Sequence, residues 1–106
     1  MMKKVLLSEE FGSNIFTRST ISSFFEKINK SKDKEIVLDF SSIDFISRSC
    51  ADEYIKRKQD SKKKIVEANM SKEVCSMFNA VQNQYKKAGL SLSFNICSLG
   101  KRPIPA

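Results

Sequence analysis

Histidine and tryptophan are both absent from the 106-residue chain. Without histidine the chain has no Ser-His or Cys-His nucleophile pair, and it lacks the commonest general base of enzymes. Lysine or carboxylate chemistry remains open, but the sequence favours a protein that is not an enzyme. The three cysteines, Cys50, Cys75 and Cys97, form no CxxC pair, and without histidine they assemble no Cys/His metal set. We therefore expect reduced, mostly buried thiols, and neither a metal nor another cofactor.

Long apolar runs are absent as well. No run approaches the ~20 residues that span a bilayer, and the apolar part of the N-terminal MMKKVLLSEEFG is too short for a signal peptide. The hydrophobic fraction of 41% and the charged fraction of 29% are those of an ordinary globular protein. The length suits one domain with one core. These features predict a cytoplasmic protein without a membrane segment.

Charge of one sign dominates, because 19 lysines and arginines face 12 acidic residues and give a net charge of +7. Such a surplus is typical of nucleic-acid-binding domains, and KRKQDSKKK at 56–64 is the run that would serve. No aromatic residue interleaves the basic runs, so a stacking platform for single strands is missing. Most basic residues also fall near the ends of predicted helices, where cations complement the helix dipole. Nucleic-acid binding is therefore the alternative function and not the leading one.

Strand and helix patterns alternate along the chain. Strands are predicted at KKVLLS (3–8), EIVLDF (35–40), KIVEAN (64–69) and LSLSFNIC (90–97). Helices are predicted at TRSTISSFFEKINK (17–30), SCADEYIKRKQDSK (49–62) and SKEVCSMFNAVQNQYKKAG (71–89). The order β-α-β-α-β-α-β predicts an α/β fold with a mainly parallel sheet and right-handed crossovers. The domain would span 1–97, followed by an extended tail at 98–106.

Local signals refine this prediction. Thr17 and Ser71 are plausible N-caps, and EEFGSN, which contains Gly12, is predicted to be a turn after the first strand. The β-branched strand 35–40 is expected to be buried on both faces. The last strand alternates apolar and polar residues, which places it at a sheet edge, where it could pair between two copies of the chain in a homodimer.

The stretch DFSSIDFISRSCADE, residues 39–53, is expected at the carboxyl end of a central strand, where sites of such folds lie. Ser47 or Ser49 could cap the helix that follows. Asp52 and Glu53 are expected in its first turn, where negative charge offsets the helix dipole. These features can be explained by the stability of the helix amino terminus alone, without any further function.

Functional interpretations compete at the same stretch. Arg48 and the helix amino terminus could hold a phosphate or a nucleotide. Cys50 could be a reactive thiol, although the residues after it favour a core position. Asp39 and Asp44 could form a carboxylate pair, but turn chemistry explains them as well, and we favour the turn.

Three segments together carry a resemblance to a known family. EIVLDFSSIDFISRSCADEYI resembles the central strand–loop–helix segment of STAS domains, the fold of anti-sigma-factor antagonists. LDF at 38–40, FIS at 45–47 and ADE at 51–53 stand where the STAS-like domains of unknown function have similar residues. EEFGSNIFTRSTISSFF and EANMSKEVCSMFNAV agree as well, so the resemblance covers nearly residues 3–97.

The resemblance implies a non-enzymatic switch. STAS antagonists typically bind a GHKL-type ATPase that is also a serine kinase, and phosphorylation at an Asp-Ser-Ser/Thr-Gly run breaks the complex. By position, Ser47 stands for the aspartate, Arg48 for the acceptor serine, Ser49 for the next hydroxyl and Cys50 for the glycine. Arginine cannot accept a phosphate, so Ser49 is the first candidate for a switch and Ser47 the second.

The leading hypothesis is therefore a cytoplasmic regulatory module that docks a protein partner. The resemblance implies an ATPase/kinase-like or transcription-control protein as that partner. The contact surface would be the loop 41–49 and the helix 49–62. The residues expected to make the contact or to act as the switch are Ser47, Arg48, Ser49, Asp52 and Glu53.

Overall fold

The computed structural model describes residues 2–12, 14–15, 17–90, 92 and 96. The elements, in chain order, are β1 (Met2–Leu6), α1 (Leu7–Phe11), β2 (Asn14–Ile15), α2 (Arg18–Asn29), β3 (Glu35–Asp39), β4 (Phe45–Ile46), α3 (Arg48–Asp60), β5 (Lys64–Ala68) and α4 (Lys72–Lys87). The predicted α/β class is confirmed: the molecule is a small domain with a parallel sheet and helices packed on it. Among the described residues, no helix has the length and apolarity needed to cross a membrane.

The main sheet has three parallel strands in the order β1-β3-β5. The chain returns through α2 between β1 and β3, and through α3 between β3 and β5, so helical crossovers join the parallel strands. A second, smaller pair joins β2 to β4, also in parallel. This pair holds the segment before α2 against the segment before α3.

The core lies between the main sheet and the three long helices. Ile36 and Leu38 of β3 are fully buried. Above them, the rings of Phe25, Tyr54 and Phe78 pack edge to face, with centroids 5.2 Å apart for the first two and 5.1 Å apart for the last two. Edge-to-face packing is favoured by the ring quadrupoles. One aromatic cluster therefore joins α2, α3 and α4.

The other face of the sheet is less covered than the sequence suggested. Lys4, Val37 and Val66 are neighbours in register on this face. Val37 is only half-buried and Val66 is 37% exposed. The expectation that the strand 35–40 is buried on both faces is therefore wrong at Glu35 and Val37, whereas Asp39 on the same face is buried. Crossovers of one hand that add strands in one direction place their helices on a single face of the sheet.

The predicted turn after β1 is wrong in part, because Leu7–Phe11 form the short helix α1. Gly12 ends it with a φ of 78°, a backbone conformation that glycine adopts without steric cost. Ser71 caps α4, since its side chain accepts from the backbone N–H of Val74. Thr17 occupies the N-cap position of α2, but its side chain makes no capping hydrogen bond.

The predicted last strand, 90–97, and the predicted tail, 98–106, lie outside the described residues apart from three single positions. Leu90 is 55% exposed, Leu92 is half-buried and Ile96 is fully buried. The amide of Gln82 bonds both backbone groups of Ile96, donating to its carbonyl at 2.9 Å and accepting from its N–H at 2.7 Å.

The cysteines differ from the expectation of reduced thiols. Cys50 is a free, buried cysteine, as expected. Cys75 is also buried but is disulfide-bonded, so the expectation is wrong at this position. Cysteines far apart in a sequence can pair once folding brings their Cα atoms within about 7 Å, and spacing alone does not reveal this.

Candidate functional site

The carboxyl end of β3 is fixed by Asp39. Its carboxylate accepts from the backbone N–H of Ser41 at 2.8 Å, from the Ser41 hydroxyl at 2.6 Å and from the Asn69 amide at 3.1 Å. The Lys4 ammonium lies 3.4 Å away. The hydrogen bonds from Ser41, followed by the one from Asn69, hold the pKa of Asp39 well below its usual range. The expected turn chemistry at Asp39 is therefore present.

The loop after β3 rests on buried apolar side chains. Phe40, Ile43 and Ile46 are at most 1% exposed, and Cys50 at the start of α3 is fully buried. The N–H of Ile43 donates to the carbonyl of Phe40 at 3.0 Å, and Ser42 in the turn has a φ of 66°. Because these four side chains anchor the loop in the core, the backbone that carries its exposed side chains is held rigid.

The upper side of this loop presents polar residues and one aromatic side chain. Ser42, Asp44, Arg48 and Ser49 are exposed, and Phe45 is 40% exposed. We call these five residues the docking corner. Phe45 was not among the residues expected from the sequence. It stands out only when the short strand β4 is known, because Phe45 and Ile46 then point to opposite sides.

Ser47 has a structural role at this corner. Its hydroxyl oxygen accepts from the backbone N–H of Cys50 at 3.2 Å, so Ser47, and not Ser49, is the N-cap of α3. Ser47 is half-buried, whereas Ser49 is exposed. Burial raises the pKa of the Cys50 thiol, which disfavours the reactive thiolate. This supports the core position that the sequence favoured for Cys50.

Asp52 lies in the second turn of α3 and not in the first, since the helix begins at Arg48. The Tyr85 hydroxyl donates to its carboxylate at 2.6 Å, and Lys56 and Arg18 each lie 3.3 Å from it. Burial acts to raise the pKa of Asp52. The Tyr85 hydrogen bond and the two cations outweigh it, so the pKa is lower than usual.

Glu53 is also in the second turn and joins α3 to α2. It accepts from Arg57 at 2.8 Å and from the Ser22 hydroxyl at 2.9 Å, and Arg18 lies 3.4 Å away. Arg57 in turn donates to Ser22 at 3.0 Å. The Arg57 hydrogen bond is the main cause that lowers the pKa of Glu53. The expected place of Asp52 and Glu53 in the first turn is therefore wrong, and both are engaged with neighbouring helices.

Two of the expected site residues are exposed together on one small surface depression, of about 250 Å³. Arg48 and Ser49 lie on its rim, beside the partly buried Asp52. The depression is lined by Arg18, Arg48, Ser49, Asp52, Val81 and Gln84. Ser47 and Glu53 do not line it. It therefore offers two guanidinium groups and one carboxylate, a mixed surface that suits a polar protein contact.

Within the described part of the chain, no group of three or more histidine, cysteine, aspartate or glutamate side chains could hold a metal ion. No protein-family model matches the chain, and neither a curated protein nor a solved structure matches it. The likeness to STAS domains therefore rests on the sequence motifs.

Proposed function

We propose that this protein is a non-enzymatic regulatory module that docks a partner protein through its docking corner. The observation that supports this most is Phe45, an aromatic side chain that is 40% exposed, three residues before Arg48, on a loop anchored in the core. Aromatic residues and arginine are enriched among the residues that dominate protein–protein binding. A firm base also lowers the conformational entropy lost on binding.

The surface proposed for partner binding is smaller than the one expected from the sequence, which was the loop 41–49 together with the helix 49–62. The predicted helix 49–62 corresponds to α3, Arg48–Asp60. Further along this helix, Arg57 is engaged with Glu53, and Lys58 with Glu67 at 2.8 Å. These side chains already have partners within the molecule, so the contact would concentrate on the first turn of α3 and the loop before it.

The class of partner comes from the likeness to STAS domains, which favours an ATPase/kinase-like or a transcription-control protein in the cytoplasm. A disulfide at Cys75 is unusual for that compartment, because thiols are kept reduced there. If the protein is cytoplasmic, we expect this disulfide to be open in the cell, so that Cys75 is alkylated when acid-quenched cells are denatured in the presence of the reagent. Protection of Cys75 after denaturation would speak for an oxidising compartment instead.

The proposed switch is phosphorylation of Ser49. This serine is exposed on the rim of the depression, beside Arg48 and near Arg18. A phosphate adds about −1.5 to −2 charges, so it would compete with Asp52 for Arg18. Ser47 is the weaker candidate, since its oxygen is engaged in capping α3.

Native capture with quantitative mass spectrometry tests the proposal. The wild type is compared with the double variant Phe45→Ser/Arg48→Glu, and Lys87→Glu at the exposed end of α4 supplies the same charge change elsewhere. We expect at least one protein to be lost from the corner variant and kept by the control, and Ser49→Asp to weaken its capture. Equal recovery of every captured protein by all folded variants would refute the proposal.

A further inference from the structure

Two lysine-rich loops meet at the end of the molecule opposite the docking corner. The loop 30–34 precedes β3 and the loop 61–63 leads into β5, so both lie at the amino ends of parallel strands. The docking corner follows the carboxyl end of β3. Five strand residues, at about 3.3 Å each, separate the two ends by about 16 Å. In the sequence these basic runs are 30 residues apart and look unrelated.

Hydrogen bonds join the two loops. The N–H of Lys64 donates to the carbonyl of Lys34 at 2.9 Å. The Lys63 ammonium donates to the carbonyl oxygens of Ser31, at 2.7 Å, and Asp33. Lys63 is therefore a structural residue that joins the backbone of one loop to that of the other.

Four other lysines of these loops are exposed, and none forms an ion pair with a described residue: Lys30, Lys32, Lys34 and Lys62. We call them the basic pole. Lys34 and Lys62 lie on the wall of one open depression of about 520 Å³. Asp33 and Asp60 stand beside them, so positive charge prevails locally without being uniform.

The first part of the basic run 56–64, residues 56–58, forms ion pairs within the molecule. Lys56 is paired with Asp52, and Lys58 is paired with Glu67 and is only 11% exposed. The structure thus divides this run and joins its second half to the loop 30–34. The surface that results could not be read from the order of residues.

We propose that the basic pole binds the phosphate backbone of double-stranded nucleic acid without reading its sequence. Lysine ammonium groups are point charges that suit phosphate oxygens. Neither 29–35 nor 60–64 contains an aromatic residue on which single-stranded bases could stack, or an apolar residue that could anchor in a membrane. The carboxyl ends of α2 and α3 also point here, and their negative dipole ends weaken the attraction. The binding is therefore weak, in the range of about 10⁻⁴ to 10⁻⁶ M typical of non-specific contacts.

Because the two surfaces lie at opposite ends, binding at the basic pole leaves the docking corner accessible. The molecule could then hold a partner protein close to nucleic acid. The basic pole does not depend on the proposed function, since it uses none of the residues of the docking corner.

Fluorescence anisotropy with a labelled 20-base-pair DNA duplex, at 20–200 mM KCl, tests the basic pole. Four phosphate contacts predict a slope of about −3 to −4 when log K is plotted against log salt. We expect Lys32→Glu/Lys62→Glu to weaken binding at 50 mM salt at least about tenfold and to flatten the slope by about 2. The control, Lys86→Glu/Lys87→Glu, changes the net charge equally at the end of α4 and should weaken binding less than about threefold.

Three results would overturn the proposal. One is an equal loss of affinity in the two variants, since net charge alone would then explain the binding. Another is no binding by the wild type at 20 mM salt. The third is tighter binding to vesicles of phosphatidylcholine and phosphatidylserine, or to single-stranded DNA, than to the duplex. Circular dichroism establishes first that both variants fold.

Discussion

Gln82 provides the sharpest test of the packing at the end of the described chain. It is 2% exposed, and its amide bonds both the N–H and the carbonyl of Ile96. We therefore expect Gln82→Leu to destabilise the protein strongly. The same substitution at Gln84, two residues further along α4 and exposed, supplies the matched control.

The magnitude follows from the groups that lose their partner. In the Gln82→Leu variant, one buried N–H and one buried carbonyl of Ile96 lose the partner that Gln82 supplies, at about 1–3 kcal/mol each, or about 2–6 kcal/mol together. The leucine side chain buries apolar surface and the backbone can relax, and both effects reduce the loss. We therefore expect the lower half of the combined range, a destabilisation of about 2–4 kcal/mol. Gln84→Leu is expected to change the free energy of unfolding by no more than about 0.5 kcal/mol.

Urea unfolding followed by circular dichroism at pH 7 gives both values, with unchanged m-values as a check on two-state behaviour. If Gln82→Leu and Gln84→Leu differ by less than about 1 kcal/mol, the proposed role of Gln82 is wrong. Gln82→Glu adds a pH test, because its buried carboxylate would face the Ile96 carbonyl and its pKa would be raised. The stability of this variant relative to the wild type should then be highest near pH 4 and fall as the pH rises through the folded pKa.

Three further predictions concern single side chains. Ser47→Ala should lower the free energy of unfolding by about 1 kcal/mol, as loss of an N-cap does, while Ser49→Ala stays within about 0.5 kcal/mol; equal effects in urea melts would exclude the capping role. The lowered pKa of Asp39 contributes stability that is present above its unfolded pKa of about 3.9 and is lost as the pH falls through the lower folded value. Asp39→Asn should therefore flatten the loss of stability below about pH 4, and acid-unfolding curves of identical steepness would contradict this. Burial raises the pKa of both tyrosines, Tyr54 and Tyr85, and the hydrogen bond to Asp52 adds to the effect at Tyr85. Folded protein should therefore show no tyrosinate absorbance at about pH 10, where urea-unfolded protein titrates; a normal titration of the folded protein would contradict the burial of Tyr54 and the bond between Tyr85 and Asp52.

Much of the fold could be predicted from local patterns. The apolar spacing of α2 and α4 gave their positions, because residues three and four apart share a helix face. The N-caps of α3 and α4 could also be predicted, since Ser47 and Ser71 precede segments with a helical period of apolar residues. Short elements were not: α1 has five residues, and β2 and β4 have two each. These lengths are too short to show a helical or a strand period.

The candidate site was predictable only in part, because its contacts join distant positions. Arg18 contacts Asp52 and Glu53, which lie 34 and 35 residues further along the chain. No local pattern in the sequence predicts contacts over such a separation. The exposure of Phe45 depends on the small β2–β4 sheet. The meeting of the loops 30–34 and 61–63 depends on the order of strands in the main sheet.

Site-specific photo-crosslinking tests the docking corner most directly. The photoreactive residue p-benzoylphenylalanine is placed at Phe45 or, as a control, at Val66, which is similarly exposed but lies on the far face of the sheet. If the docking corner is the contact surface, irradiation of cells should link position 45, and not position 66, to a particular protein, and Arg48→Glu should abolish the link. Identical crosslinks from both positions, or none from position 45, would contradict the proposed function.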